Sequence, residues 1–368
     1  MNIEPLDLKE VKVFPLAERD SEARLEDILV EPDSIPAPCS PENLERIRAC
    51  ARQIAGARSA KSTVMAIYGA HLIKNGGANI LIRLLEQRWI THLATNGAGI
   101  IHDWEFAFIG RSTESVRKNV AAGTFGTWDE TGRNIHLSVL VGGTENAGLG
   151  ESLGRFVIED GITLPDTDSL EHLLRSEPSH PLTPARAELL QAMLQHHLGS
   201  GRHEIRHPWK DSCVLAQAFK HNVPFTVHPG IGYDIIATHP MFNGAALGRA
   251  ATVDFQLFCG SLERLDAGVA LSIGSAIMGP QVFEKSLSCV NNLRIQQGRK
   301  IVQSHAIYVV DLQDGGNWDW THGEPPKDNP AYYLRFCKSY ARMGGAMHYL
   351  QCDNVQFLHH LLIELSRL

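Results

Sequence analysis

The chain has 368 residues, 43% of them hydrophobic, and a formal charge of −7. That supports a large core and argues against a nucleic-acid partner, which needs a basic face. No apolar run approaches the ~18 residues of a bilayer-spanning helix. The acidic opening MNIEPLDLKEVKV lacks the basic start and apolar stretch of a signal peptide. Seven scattered cysteines without a CxxC pair read as reduced thiols, so the expectation is a cytoplasmic protein without membrane contact.

Residues 1–40 are acidic, carry Pro5, Pro15, Pro32 and Pro36, and show little periodicity. They read as an arm packed on something larger, a neighbouring subunit being one candidate. Ser40-Pro41 is an N-cap followed by proline at the first helical position, so a helix begins at 41. Val64 to Tyr68 is a continuous apolar strand, and a helix follows over 78–88. Residues 90–94 read as a second buried strand, which breaks at Thr95-Asn96-Gly97-Ala98-Gly99 and resumes as a helix. Further strand-like runs fall at 135–141, 223–228, 268–273, 305–310 and 346–350. Helical patterns occupy 112–121, 183–198, 211–221, 244–264, 280–293, 330–342 and 354–366. Apolar strands alternating with helices predict an α/β fold, a doubly wound, mostly parallel, Rossmann-like sheet. One such domain spans 41–368, with an insertion or lid at about 142–207.

Ligands of open parallel sheets sit beyond the carboxyl ends of the strands. Those ends are rich in small and polar residues here: Asn75-Gly76, Thr95-Asn96-Gly97, Gly230 to Asp234, Gly274-Ser275, Asp314-Gly315-Gly316 and Asp353-Asn354. A strand running into a Gly-rich turn at a helix start presents free N–H groups to phosphate, although His102 stands where G-x-G-x-x-G has its third small residue. Two rival motifs are weaker. His203-Glu-Ile-Arg-His207 spells the zinc pattern H-E-x-x-H, but Pro208 disfavours a continuous helix there. Gly148 to Gly154 is a near-miss dinucleotide loop, lacking the acidic residue that should end a second strand.

In the order and spacing of these segments the chain resembles deoxyhypusine synthase over about residues 64–366. Thr95 to Ile100 is similar to that family's Thr-Thr-Ala-Gly-Gly-Val loop. Leu72 to Gly76 sits where it has Ser-Ser-Gly, Leu271 to Ala276 resembles its Leu-Gly-Gly-Gly turn, and Asp314-Gly315-Gly316 its Asp-Gly-Ser. Asp353-Asn354-Val355 corresponds to its Asp-Ala-Thr. The resemblance implies NAD held near subunit interfaces of a homotetramer and a transferase acting on a polyamine-type substrate. It places Asn75, Gly76, Thr95, Asn96, Gly97, Gly274, Ser275, Asp314, Asp353 and Asn354 around the cofactor, and Asp234 as the carboxylate partner of a substrate ammonium. The family's acidic pair after the nucleotide loop is Ile101-His102 here, which makes His102 a candidate acid–base. The Trp-Gly-Lys that carries the imine lysine has no counterpart. Lys327 and Lys338 are the nearest lysines, and Lys327 is the candidate for its role. The expectation is therefore a deoxyhypusine synthase-like, NAD-binding enzyme of altered chemistry on an amine or other cationic substrate. Two alternatives remain: a metal-dependent hydrolase or lyase using His102, His228 and His239 with Asp234, or a non-catalytic nucleotide-binding oligomer.

Overall fold

The computed structural model describes residues 3–368, so Met1 and Asn2 of the arm lie outside the described residues. Six strands form one parallel sheet. They are labelled here β1 (Val64–Tyr68), β2 (His92–Asn96), β3 (Phe225–His228), β4 (Val269–Ile273), β5 (Ala306–Asp311) and β6 (Ala346–Gln351). Their order across the sheet is 3-2-1-4-5-6, that of the doubly wound dinucleotide-binding folds. The predicted fold class is the observed one.

The apolar runs are continuous because both faces are covered. Side chains of β1 alternate between two cores: Val64, Ala66 and Tyr68 join one, Met65 and Ile67 the other. β5 divides the same way, with Tyr308 and Val310 in the first and Ile307 and Val309 in the second. Helices Pro41–Ser59, Ala78–Glu86, Gly97–Ile109 and Asn354–Leu365 supply the first core, and Met278–Gln296 and Arg335–Ala341 the second. The chain leaves β1 for β2 on one side and returns beside β1 as β4. The crevice between the carboxyl ends of β1 and β4 is therefore the point where the winding reverses.

Three local expectations differ from the structure. Residues 135–141 lie in a helix, Asp129–Gly143, not a strand. That helix buries residues on nearly every side, and an apolar run buried all round looks the same in either conformation. Residues 111–114 pair as a strand with Ser21–Arg24 of the arm, and the helix begins only at Val116. At 330–342, a 3-10 turn (Pro330–Tyr333) precedes a short helix from Arg335. The arm packs on its own chain: Leu16 is fully buried, and Arg19 and Glu105 form an ion pair with both side chains 1% exposed. Within 142–207, helix Leu149–Ile158 buries Leu149, Leu153 and Phe156 in the first core. Among the described residues, no helix is long and apolar enough to cross a membrane.

Candidate functional site at the carboxyl edge of the sheet

The turn after β2 folds as its residue types dictate, and its polar groups are largely satisfied from within. Asn96 caps helix Gly97–Ile109 by accepting from the Gly99 N–H at 2.9 Å. Thr95 is fully buried and donates its hydroxyl to the Tyr68 carbonyl at 2.8 Å. Asp234 lies over the start of this helix. Its carboxylate accepts from the backbone N–H groups of Gly230, at 2.7 Å, and Ala98. A Cβ on Gly97 would lie 2.1 Å from the Asp234 carboxylate, so only glycine fits. Burial pushes the Asp234 carboxyl up to about 6, against the lowering effect of those two N–H bonds. The helix start that suggested a phosphate site is thus occupied by the protein's own anion. The structure brings Thr95, Asn96 and Gly97 together with Asp234, a residue assigned from sequence to substrate rather than cofactor.

A second group forms at the β1/β4 crevice. Gly69 and Gly274 lie against one another: a Cβ on Gly69 would sit 2.1 Å from the Gly274 carbonyl oxygen. Gly274 has φ +58°, and a Cβ there would lie 2.3 Å from the Asn354 amide nitrogen. Asn354 is 8% exposed, and its Oδ1 is buried without a partner. Ser275 accepts from the Gly279 N–H at 3.1 Å. The close approach of Gly69, Gly274 and the Asn354 amide leaves no room for a side chain among them, and the unpaired Asn354 oxygen is the group there that a polar ligand would satisfy. Gly69 was not singled out in the sequence. The only signal for it was a glycine ending an apolar strand, which any loop could produce.

The remaining assignments separate. Asn75 and Gly76 lie under the arm: the Gly76 carbonyl accepts from the Val30 N–H at 3.0 Å, and a Cβ on Gly76 would sit 1.8 Å from the Ile28 oxygen. Asp353, the chain neighbour of Asn354, caps its own helix through Oδ1 alone, which accepts from Val355 and Gln356 at 2.9 and 3.0 Å. Asp314 accepts from Gly316 and lines a different cleft, together with Ser40 and Arg46. Lys327 is exposed, and Lys338 is held by Glu324 at 3.0 Å beneath the Tyr332 ring.

His102 stands at the end of a buried chain of bonds. Arg19 holds Glu105 through two bonds of 2.7 and 2.8 Å, and Thr131 donates to the same carboxylate. The Ser112 hydroxyl donates to Glu105 at 2.5 Å, so at its 2.7 Å contact with His102 Nδ1 it must accept. His102 therefore carries its proton on Nδ1 and presents a lone pair at Nε2. Burial lowers its pKa to about 4; the Glu105 charge raises it, and Lys74, Arg19 and His71 lower it further. His102 is a neutral base at pH 7.

The three histidines of the metal alternative lie in separate networks: His102 with Ser112, His228 with Thr226, and His239 with Asp129. His203 lies in a short strand and bonds the Gly199 carbonyl, while His207 packs under Trp104 and Phe156. Among the described residues, no three His, Cys, Asp or Glu side chains are placed to hold a metal ion. A polar ladder passed unnoticed in the sequence: Ser261 to His92 at 2.7 Å, His92 to Thr226 at 3.0 Å, and Thr226 to His228 at 3.3 Å. Burial lowers His92 to about 3 and His228 to about 4.

No known family model matches the chain, and no curated protein does either. Among solved structures, unliganded AgrE aligns at 14% identity over 91% of this chain and 34% of that one, with a TM-score of 0.45. AgrE in a ternary complex with ornithine and NAD+ aligns at 14% identity over 89% and 34%, at 0.44. A conserved putative LOR/SDH protein from Methanococcus maripaludis S2 aligns at 14% identity over 92% and 74%, at 0.40. The chain spans about a third of the length of AgrE. None of the three is described as a deoxyhypusine synthase, and likenesses this distant leave the function to be argued from the residues themselves.

Proposed function

We propose that the chain is an NAD-dependent enzyme acting on a small cationic substrate at the carboxyl edge of its sheet. The observation that carries this reading is the reversal of winding between β1 and β4, where Gly69 and Gly274 exclude side chains and Asn354 keeps a buried oxygen unpaired. These residues, with Ser275, would hold the dinucleotide, which when bound supplies a hydride acceptor. Asp234 would pair with the substrate's ammonium: its carboxyl is ionised at pH 7 and has no cation bonded to it. His102 would take a proton at Nε2, with Nδ1 fixed by Ser112 and Glu105. AgrE, which has been crystallised with ornithine and NAD+, offers a combination of ligand classes of the same kind.

Deoxyhypusine formation itself is not part of the proposal. A lysine that forms an imine needs a dry pocket that favours its neutral form, and Lys327 faces water. The tetramer implied by the family resemblance is carried as a proposal. Ile231, Tyr233 and Ile277, exposed on loops following β3 and β4, are residues that a neighbouring copy would cover.

Thermal unfolding against NAD concentration tests the reading. A ligand that binds only the folded state stabilises by about 2.7 kcal/mol at a hundredfold excess over Kd. Gly69→Val, which puts a side chain into the Gly274 carbonyl, is expected to remove the NAD-dependent part of the shift. No rise with NAD in the unaltered protein would sink the proposal.

A further inference from the structure

Beside β6, the free edge of the sheet, a cleft of about 810 Å³ opens between the start of helix Pro41–Ser59 and the loop 314–321. Its volume lies in the usual range of small-molecule sites, ~300–1,000 Å³. Gly69, Gly274, Thr95, Asp234 and His102 do not line it. Glu42, Asp314 and Asp319 face a single guanidinium, Arg46, leaving a surplus of two negative charges. That guanidinium is already engaged, donating to the Tyr349 carbonyl at 2.7 Å and to Glu42 at 2.8 Å. Asp314 uses only Oδ1, on the Gly316 N–H, and Asp319 uses only Oδ1, on Thr321. Asp314 therefore keeps one carboxylate oxygen free, and Asp319 Oδ2 has no hydrogen bond and only the His322 ring near it, at 3.6 Å.

Two tryptophans line the same cleft. Trp318 is tied down by its indole N–H, which donates to the Gly323 carbonyl at 2.8 Å. Trp320 is 2% exposed, yet its indole N–H has no partner. His348 also lines the cleft, stacks on Tyr308 at 4.7 Å, and leaves Nε2 buried and unpaired. Buried polar groups without partners are rare and call for an explanation. Aromatic walls with carboxylates suit a desolvated cation, and a free indole N–H asks for an acceptor on the same ligand.

We propose that this cleft binds a small organic cation, an amine or guanidinium on a short chain that also carries a carbonyl or hydroxyl acceptor. It is a separate site from the β1/β4 crevice, and the argument for it stands whether or not the chain binds NAD.

L-Argininamide is the probe, followed by calorimetry and tryptophan fluorescence on the full chain, with glutaramide as the neutral control and glutarate as the anionic one. One saturable site is expected for argininamide, weakening as salt rises, with no saturation by either control. Asp314 and Asp319 are exposed, so Asp314→Asn with Asp319→Asn leaves the fold intact, and Glu42→Gln is a further exposed variant. The double variant is expected to weaken binding by at least about tenfold, and Trp318→Leu to reduce the fluorescence response. NAD-dependent stabilisation is expected to be the same in all of these variants. Absence of saturable argininamide binding, equal affinity in the double Asn variant, or tighter binding of glutaramide would each overturn the proposal.

Discussion

Replacing Arg19 by Met probes the arm and the candidate base in one experiment. In the native chain Glu105 is fully buried and accepts from Arg19, Ser112 and Thr131, and the Arg19 charge helps to hold its carboxyl below the ordinary range despite the opposing effect of burial. Removing the guanidinium leaves a buried carboxylate without its counter-charge, a change that costs about 3–5 kcal/mol. Protonation limits the loss. Taking a carboxyl of ordinary pKa 4.5 to its neutral form at pH 7 costs about 3.4 kcal/mol, and about 1.4 kcal/mol less for each unit of pH below that. The expected loss is therefore about 3 kcal/mol at pH 7, read from urea unfolding, and clearly less at pH 5.5. Arg19→Met with Glu105→Gln is expected to recover most of it, since no charge is then buried. Because the Glu105 charge raises the His102 pKa by more than the Arg19 charge lowers it, and Glu105 is neutral near pH 4 once its counter-charge is gone, the single variant should also move the His102 titration down from about 4, followed by NMR of the ring. A loss below about 1 kcal/mol, or a double variant no more stable than the single one, would refute the account of a clamped arm.

Other outcomes are expected on the same physics. Gly97→Ala pushes the Asp234 carboxylate off the Gly230 and Ala98 N–H groups; a loss of about 1–3 kcal/mol is expected, partly recovered by adding Asp234→Ser, and a double-mutant cycle with no coupling would count against the contact. Burial lowers His92 to about 3, and His102, His136, His207 and His228 to about 4. The unfolded chain therefore takes up protons first as pH falls, so their contribution is present above about 6.5 and lost toward pH 4. Asp103 and Asp234, raised to about 6, and Asp254, raised to about 7, act in the opposite sense over their own ranges. With five histidines against three carboxyls, the urea midpoint is expected to fall between pH 6.5 and 4.5, and a midpoint that rises there would contradict the burial assignments. Light scattering at several concentrations tests the tetramer: a monomer at all of them would remove it from the proposal.

Much of the fold is legible residue by residue. Val64 to Tyr68 reads as a strand covered on both faces because no polar residue interrupts it, and Ser40-Pro41 and Asp353 announce helix starts because capping is a local bond. Such signals need only neighbours within a turn or a strand. Asn96 as a cap was available for the same reason, whereas Asp234 over Gly97 was not.

What the polymer alone could not reveal is which distant groups meet. The order 3-2-1-4-5-6, the Gly69–Gly274 contact and the Arg19–Glu105 pair, 86 positions apart, depend on strands choosing partners across the whole sheet. The helix at 129–143 escaped for a related reason, since its surroundings bury it on nearly every side and erase the periodicity that would have identified it. Local chemistry determined the elements and the polar character of their ends. Long-range packing decided that the anion at the start of helix Gly97–Ile109 is Asp234, and that Gly69, Gly274 and Asn354 meet one strand away, between β1 and β4.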